Sequence, residues 1–78
     1  MKTAAHVRWE CRRGMLELDV LLQGFFARSY STLSVQDQQV FQRLLACSDV
    51  LLLSWLVHKE QPTDPDFERL VEQIIGGV

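Results

Sequence analysis

The chain has 78 residues, of which 47% are hydrophobic and 23% are charged. This length allows one small domain, and this composition is typical of a folded chain rather than a disordered one. The formal net charge of −2 argues against a nucleic-acid partner, because that binding depends on many Lys and Arg side chains at the phosphates. Two cysteines, Cys11 and Cys47, are too few for a disulfide framework.

The beginning of the sequence and its most apolar run indicate the location of the protein. Residues 1–9 contain no apolar segment of a signal peptide. Residues 50–57 are apolar almost throughout, but a membrane-spanning helix needs about 20 such residues. An Arg- and Ser-rich mitochondrial presequence is also absent. We therefore expect a cytoplasmic protein, with no membrane insertion and with reduced thiols.

Apolar spacing predicts two helices in the first part of the chain. The first extends from about Ala4 to Arg12, with Thr3 as its N-cap. The second extends from about Met15 to Tyr30. Its apolar residues recur at the spacing of one helical face: Leu18, Leu21, Leu22, Phe25 and Phe26.

A third and a fourth helix follow. The third begins at Ser34, whose hydroxyl can accept from the N–H of Asp37, and its predicted buried stripe is Val40, Phe41, Leu44 and Leu45. The fourth begins near Asp49 and ends at about His58. Because it is apolar nearly all round, we expect a central helix that the others cover.

The fifth helix has the clearest sequence boundaries. Asp64 is a suitable N-cap, Pro65 fits the first helical position, and Gly76 can close the end in a left-handed conformation. Its apolar stripe is Phe67, Leu70, Val71, Ile74 and Ile75. No segment alternates with the period of a strand. The sequence thus predicts an all-α fold, a compact five-helix bundle with a single domain over residues 1–78.

Patterns typical of catalysis, metal binding or nucleotide binding are weak in this sequence. Cys11 lies five residues after His6, but a nucleophile pair also needs an orienting group and a pocket, and a packed cysteine is the favoured interpretation. Two cysteines and two scattered histidines do not have the spacing of a zinc site. The four glycines form neither a P-loop nor a dinucleotide-binding motif. We therefore predict no catalytic, metal or cofactor-binding residues.

Residues 9–19, with the sequence WECRRGMLELD, contain the most unusual feature of the chain. Gly14 follows two arginines and precedes a long amphipathic helix, although glycine inside a helix is unfavourable. It either permits a break between two helices or lets the backbone of a partner approach. If the helix continued through it, Arg13 and Glu17 would lie on one face and could form a surface ion pair. Spacing alone leaves these alternatives open.

The segment Arg13-Gly14-Met15-Leu16-Glu17 resembles the Arg-Gly-x-x-Glu motif of the succinate dehydrogenase FAD assembly factor family. The resemblance covers about residues 7–75. It continues through Phe25-Phe26, Tyr30, Leu33-Ser34, Phe41, Leu44-Leu45, Asp49, Trp55-Leu56 and the last helix. Members of the family often have more acidic or proline residues where Val50 and Leu51 begin the fourth helix here.

The resemblance implies a five-helix bundle that acts as a chaperone and is not an enzyme. It implies binding to the flavoprotein subunit of succinate dehydrogenase, of fumarate reductase or of both. The family occurs in the bacterial cytoplasm and in mitochondria, and without a mitochondrial presequence we expect the bacterial cytoplasm. The factor promotes covalent attachment of FAD to that partner, whose own active site performs the chemistry. By the same resemblance Arg13, Gly14 and Glu17 form the docking surface, Arg12 supports it, and no cofactor is bound stably by this chain.

Two other hypotheses predict different structures. A general helical adaptor with an unrelated partner would expose Phe25, Phe26 or Trp55 as a contiguous patch, with Arg13 and Glu17 merely solvated. A small enzyme would use Cys11, with a lowered thiol pKa, and His6. The sequence leaves open which flavoprotein is the client, whether FAD is contacted directly, and whether the bundle associates with itself.

Overall fold

Five α-helices and one 3-10 turn make up the fold of residues 3–76, the part of the chain that the computed structural model describes. The helices are α1 (Ala4–Glu10), α2 (Leu16–Ser29), α3 (Val35–Leu45), α4 (Asp49–Leu56) and α5 (Pro65–Gly76), and the 3-10 turn, Tyr30–Thr32, follows α2. No strand occurs within these residues. The predicted all-α, five-helix architecture is confirmed.

Side-chain caps determine where four of the helices begin. At each start an oxygen accepts a hydrogen bond from a backbone N–H of the first turn, which has no partner inside the helix. The capping residues are Thr3, Ser34, Ser48 and Asp64. The caps predicted at Thr3, Ser34 and Asp64 are confirmed, and Ser48 places the start of α4 at Asp49.

The core lies where α2, α3 and α5 meet. Phe25 and Phe41 pack with ring centroids 5.4 Å apart, and Tyr30 packs on Phe41 at 5.6 Å. The predicted stripe of α3 is buried in full. Of the predicted stripes in α2 and α5, the buried members are Leu18, Leu22, Phe25, Leu70, Val71 and Ile74, and the others are half-buried. Helical periodicity therefore identified most of the core.

The ends of α1 and α2 differ from the prediction. The first helix ends at Glu10 rather than Arg12, because the N–H groups of Cys11 and Arg12 bond to carbonyls only three residues back, at 3.2 and 3.0 Å. Such bonds tighten the last turn and end an α-helix. The second helix ends at Ser29 rather than Tyr30, where the 3-10 turn begins.

The prediction that α4 is a central, covered helix was wrong. Only Leu52 and Leu56 are buried in it, whereas Val50 is 76% exposed and Leu51 is 45% exposed. The helix also ends at Leu56 rather than near His58. A chain this short has too few other helices to bury one helix on all sides. Apolar side chains are therefore left on the surface of α4.

The predicted left-handed conformation of Gly76 was also wrong. Gly76 is still within α5, because the apolar stripe continues to Ile75. Among residues 3–76 the positive φ angles occur at Gly14 and at Lys59, which follows α4. Of the helices in this part of the chain, none is both long and apolar enough to cross a membrane.

Candidate functional site

Residues 11–15 form the connection between α1 and α2, which we call the motif loop. Gly14 lies in this loop with a φ angle of +80°, a left-handed backbone conformation that residues other than glycine rarely adopt. The helix therefore does not continue through Gly14, and Arg13 and Glu17 do not form the helical ion pair considered above. A Cβ atom added to Gly14 would meet no atom within 4 Å. The glycine thus permits the turn and also leaves open space in front of it.

The guanidinium of Arg13 points back into the protein, and its side chain is only 16% exposed. Its Nε–H donates to Oδ1 of Asp49 at 2.8 Å. Three further N–H bonds of 2.9 to 3.0 Å reach the backbone carbonyls of Glu10, Leu45 and Cys47. Four of the five guanidinium N–H donors are therefore used within the chain.

Three of the four acceptors of the Arg13 guanidinium lie at helix ends. Glu10 and Leu45 are the last residues of α1 and α3, and Asp49 is the first residue of α4. Carbonyls in the last turn of a helix lack partners inside the helix and carry partial negative charge. One cation therefore binds a carbonyl at each of two helix C-termini and the carboxylate that begins a third helix.

A second contact holds the backbone of the motif loop. The N–H of Arg13 donates to Oδ1 of Asp19, in the first turn of α2, at 2.6 Å. The loop is therefore attached to α2 through its backbone and to the α3–α4 turn through its arginine. Asp19 and Asp49 were not recognised as site residues from the sequence, because the signal for them is the contact with Arg13.

Glu17 and Arg12 lie on the outside of the motif loop, in contrast to Arg13. Glu17 is exposed in the first turn of α2 and makes no side-chain hydrogen bond or ion pair within residues 3–76. Arg12 is also exposed, and its guanidinium carbon lies 5.8 Å from the ring centroid of Trp9. Arg12, Gly14 and Glu17 are thus all exposed, the first two in the motif loop and Glu17 in the first turn of α2. Contact of these residues, or of Arg13, with a partner stays a prediction.

An apolar surface, missed in the sequence analysis, borders Glu17. Leu16 is 79% exposed and Val20 is 62% exposed. With Glu17 they form one side of a shallow concavity of about 430 Å³, completed by Leu21, Leu56 and Val57. The available signal was that Leu16 and Val20 are apolar residues outside the predicted stripe of α2. A group of exposed apolar side chains bordered by an exposed charge is typical of a protein-binding surface.

The geometry of Cys11 does not support a nucleophile. Its side chain is fully buried, its Sγ–H donates to the carbonyl oxygen of Val7 at 3.4 Å, and burial raises the pKa of the thiol to about 12. His6 is exposed, and its Nε2 lies 3.8 Å from a carboxylate oxygen of Glu10. Within residues 3–76 no cluster of His, Cys, Asp and Glu has the arrangement of a metal site.

The aromatic residues do not form the patch that the adaptor hypothesis requires. Phe25 is buried, and Phe26 stacks on Tyr30 at 4.7 Å. Trp55 packs against Phe67 at 5.7 Å. Of the two residues that this hypothesis expects to be merely solvated, Glu17 is exposed, but Arg13 is bonded inside the chain.

Comparison with known proteins gives a consistent result over nearly the whole chain. The model of a family described as "flavinator of succinate dehydrogenase" matches residues 5–77. The chain is 50% identical over 72 residues to the FAD assembly factor SdhE of Shewanella oneidensis, covering 92% of this chain and 88% of that protein. It is 43% identical over 68 residues to the protein of the same name from Pasteurella multocida, covering 87% and 81%. The chain therefore belongs to the family of succinate dehydrogenase flavinators.

Proposed function

We propose that this protein is an FAD assembly factor that binds the flavoprotein subunit of succinate dehydrogenase, of fumarate reductase, or of both, in the bacterial cytoplasm. It promotes covalent attachment of FAD to that subunit and is not itself an enzyme. Family membership over residues 5–77 supports the class of function. The structural observation that carries the proposal is the motif loop, which presents an exposed Gly14 with open space in front of it and is followed by Glu17, an exposed carboxylate with no side-chain bond within residues 3–76.

The docking surface in this proposal consists of the motif loop and the first turns of α2. Gly14 lets the partner's backbone approach, since a side chain there would project into the open space in front of the loop. Glu17 accepts hydrogen bonds from the partner, and Arg12, exposed in the motif loop, supplies a positive charge. Leu16 and Val20, both exposed, add apolar contact beside these polar groups.

The mechanism that fits these residues is chaperone-like. The factor holds the flavoprotein in a conformation in which the flavin and its attachment residue react within the partner's own active site. The thiol of Cys11 is buried with a raised pKa, so this chain offers no activated thiolate there. Its contribution is binding energy spent on positioning the partner's groups, and FAD is attached to the partner rather than held by this chain.

The test measures covalent flavin on the purified apo-flavoprotein by in-gel fluorescence after denaturation. The apo-protein is mixed with FAD and with wild-type factor, Gly14→Arg or no factor. We expect faster flavin attachment with wild type and loss of this effect in Gly14→Arg. Circular dichroism verifies that the variant is folded. Equal rates with wild type and without factor would overturn the proposal and favour an adaptor with an unrelated partner.

Gly14→Asn is the matched control for the steric part of the proposal. Asparagine tolerates the left-handed conformation better than other residues with a Cβ, and φ at this position is +80°. Both variants place a side chain at Gly14, but only arginine extends far into the docking space. We expect Gly14→Asn to retain more activity than Gly14→Arg. Equal loss in the two variants would mean that backbone conformation, rather than bulk, is what matters.

A further inference from the structure

The contacts of Arg13 suggest a role different from that of its neighbours in the motif. Gly14 and Glu17 are exposed, whereas the guanidinium of Arg13 is committed to four acceptors within the chain. A partner that bound this guanidinium directly would have to compete with those bonds. From this arrangement we propose that Arg13 is a positioning residue, which acts on the flavoprotein only by holding Gly14 and Glu17 in place, with Asp49 and Asp19 as its supports. This inference rests on the proposed function.

The first argument is that α1 has few other attachments to the bundle. Val7 is the single buried residue of α1, and Cys11 is the buried residue just after it. The bond from Arg13 to the carbonyl of Glu10 closes the end of this short helix. The bonds to Leu45 and Cys47 then connect that end to the α3–α4 turn. Without these bonds, α1 and the motif loop would depend mainly on the packing of Val7 and Cys11 and on the bond from the Arg13 N–H to Asp19.

The second argument concerns the chemistry of the residue at this position. The acceptors are three carbonyl oxygens and one carboxylate oxygen around a planar group. A guanidinium presents five N–H donors in a fixed plane, whereas an ammonium presents three donors from one atom. Lysine at position 13 would keep the charge but could not reach all four acceptors. Arg13→Lys is therefore a conservative change that should still loosen the loop.

The third argument links the loop conformation to partner binding. Gly14 follows Arg13 directly, so the left-handed turn depends on where the Arg13 backbone is fixed. That backbone is held by Asp19, which belongs to the same first turns of α2 as Glu17. A loop that samples other conformations presents the docking surface for only a fraction of the time. The apparent affinity is then the intrinsic affinity multiplied by that fraction, while the complex that forms is unchanged.

The experiment separates affinity from maximal rate. Flavin attachment to the apo-flavoprotein is measured over a range of factor concentrations for wild type, Arg13→Lys, Asp49→Asn and Glu17→Gln. For Arg13→Lys we expect a half-saturating concentration raised roughly tenfold with the maximal rate nearly unchanged, as for a reduced competent fraction. We expect Asp49→Asn to raise the half-saturating concentration as well. Arg69→Lys is the control, since Arg69 bonds to carboxylates on α3 and α5 far along the chain from the motif loop.

Amide hydrogen exchange of the free factor provides the second readout. A positioning role predicts faster exchange of residues 4–15 in Arg13→Lys and Asp49→Asn, but not in Glu17→Gln or Arg69→Lys. One result would overturn the inference: Arg13→Lys weakens activation, but its hydrogen exchange matches that of wild type, and Asp49→Asn is as active as wild type. Arg13 would then contact the partner itself. If wild-type factor fails to accelerate flavin attachment, the proposed function is overturned. Exchange would then still decide whether Arg13 holds the loop.

Discussion

Arg13 and Arg69 show how the same residue type makes two different kinds of contact in this fold. Arg13 is 16% exposed and bonds to three backbone carbonyls and to Asp49. Arg69, on α5, is 46% exposed and bonds to the carboxylates of Asp37 at 2.6 Å and Asp66 at 3.1 Å. Water can replace the partners of an exposed ion pair at little cost. It replaces a donor much less readily at partly buried helix ends, where carbonyls are left without partners.

The comparison shows why the number of ion pairs is a poor guide to which arginine matters. By carboxylate contacts, Arg69 has two partners and Arg13 has one. Arg13, however, connects three helices, α1, α3 and α4, whereas Arg69 connects only α5 with α3. The stabilisation of the motif loop therefore comes mainly from backbone carbonyls, which a list of charged pairs omits.

Thiol reactivity should show the largest effect, because Cys11 reports directly on the Arg13 region. Burial raises the pKa of the Cys11 thiol from 9.0 to about 12, and burial also raises the pKa of the less buried Cys47. With iodoacetamide at pH 8 we expect alkylation of Cys47 to be roughly a hundredfold faster than that of Cys11, since the thiolate is the nucleophile. Peptide mass spectrometry measures both rates.

Variants turn this thiol measurement into a test of the comparison. Arg13→Met should accelerate alkylation of Cys11 by local opening of the motif loop, whereas Arg69→Met should leave it unchanged. Similar rates for the two cysteines in wild type would contradict the packing described for Cys11. Acceleration by both variants alike would contradict the difference between the two arginines.

Stability should show the next largest effect. We expect Arg13→Met to lower the free energy of unfolding by about 3 kcal/mol, because helix-end carbonyls and Asp49 lose their donor together. Arg69→Met should cause a much smaller loss, since its side chain is partly exposed and its partners can be hydrated. Urea denaturation followed by circular dichroism measures both variants. A loss in Arg13→Met no greater than in Arg69→Met would show that the Arg13 contacts are dispensable.

Acid should produce the smallest effect, at the cap of α5. The pKa of Asp64 lies below its ordinary value of 3.8, chiefly because its carboxylate accepts from the N–H of Asp66, with help from Phe67 and Arg43. The unfolded state therefore takes up a proton at higher pH than the folded state. The stabilisation is present above the unfolded pKa and is lost as pH falls through the lower, folded pKa.

Asp64→Asn isolates that acid effect. Asparagine still caps a helix but does not titrate. As the pH is lowered from 6 to 2, the midpoint temperature of thermal unfolding should therefore decrease less steeply in Asp64→Asn than in wild type. Parallel curves would show that Asp64 does not contribute to the acid sensitivity of the protein.

The sequence was informative where one local pattern determines the structure. The stripe of α3 and the caps at Ser34 and Asp64 depend on residues within one or two turns, and all were correct. The burial of α4 depends on how many other helices can pack around it, and this chain has few. The continuous apolar run therefore predicted the wrong burial for Val50 and Leu51. Tertiary context decided that outcome.

The candidate site divides in the same way. The motif and its glycine were visible in the sequence, and the break at Gly14 was one of two alternatives that it left open. The partners of Arg13 were not visible, because the Leu45, Cys47 and Asp49 acceptors lie 32, 34 and 36 residues away along the chain. A motif read without the fold therefore could not separate a docking arginine from one that holds the loop.

The central claim of the proposed function is that the motif loop and the first turns of α2, rather than the face that carries Arg69, contact the flavoprotein. Amide hydrogen exchange of the factor, alone and in complex with the apo-flavoprotein, tests it most directly. We expect new protection in residues 12–21, which include Gly14 and Glu17, and little change on the exposed face of α5. Protection concentrated on α5, with residues 12–21 unchanged, would contradict the account.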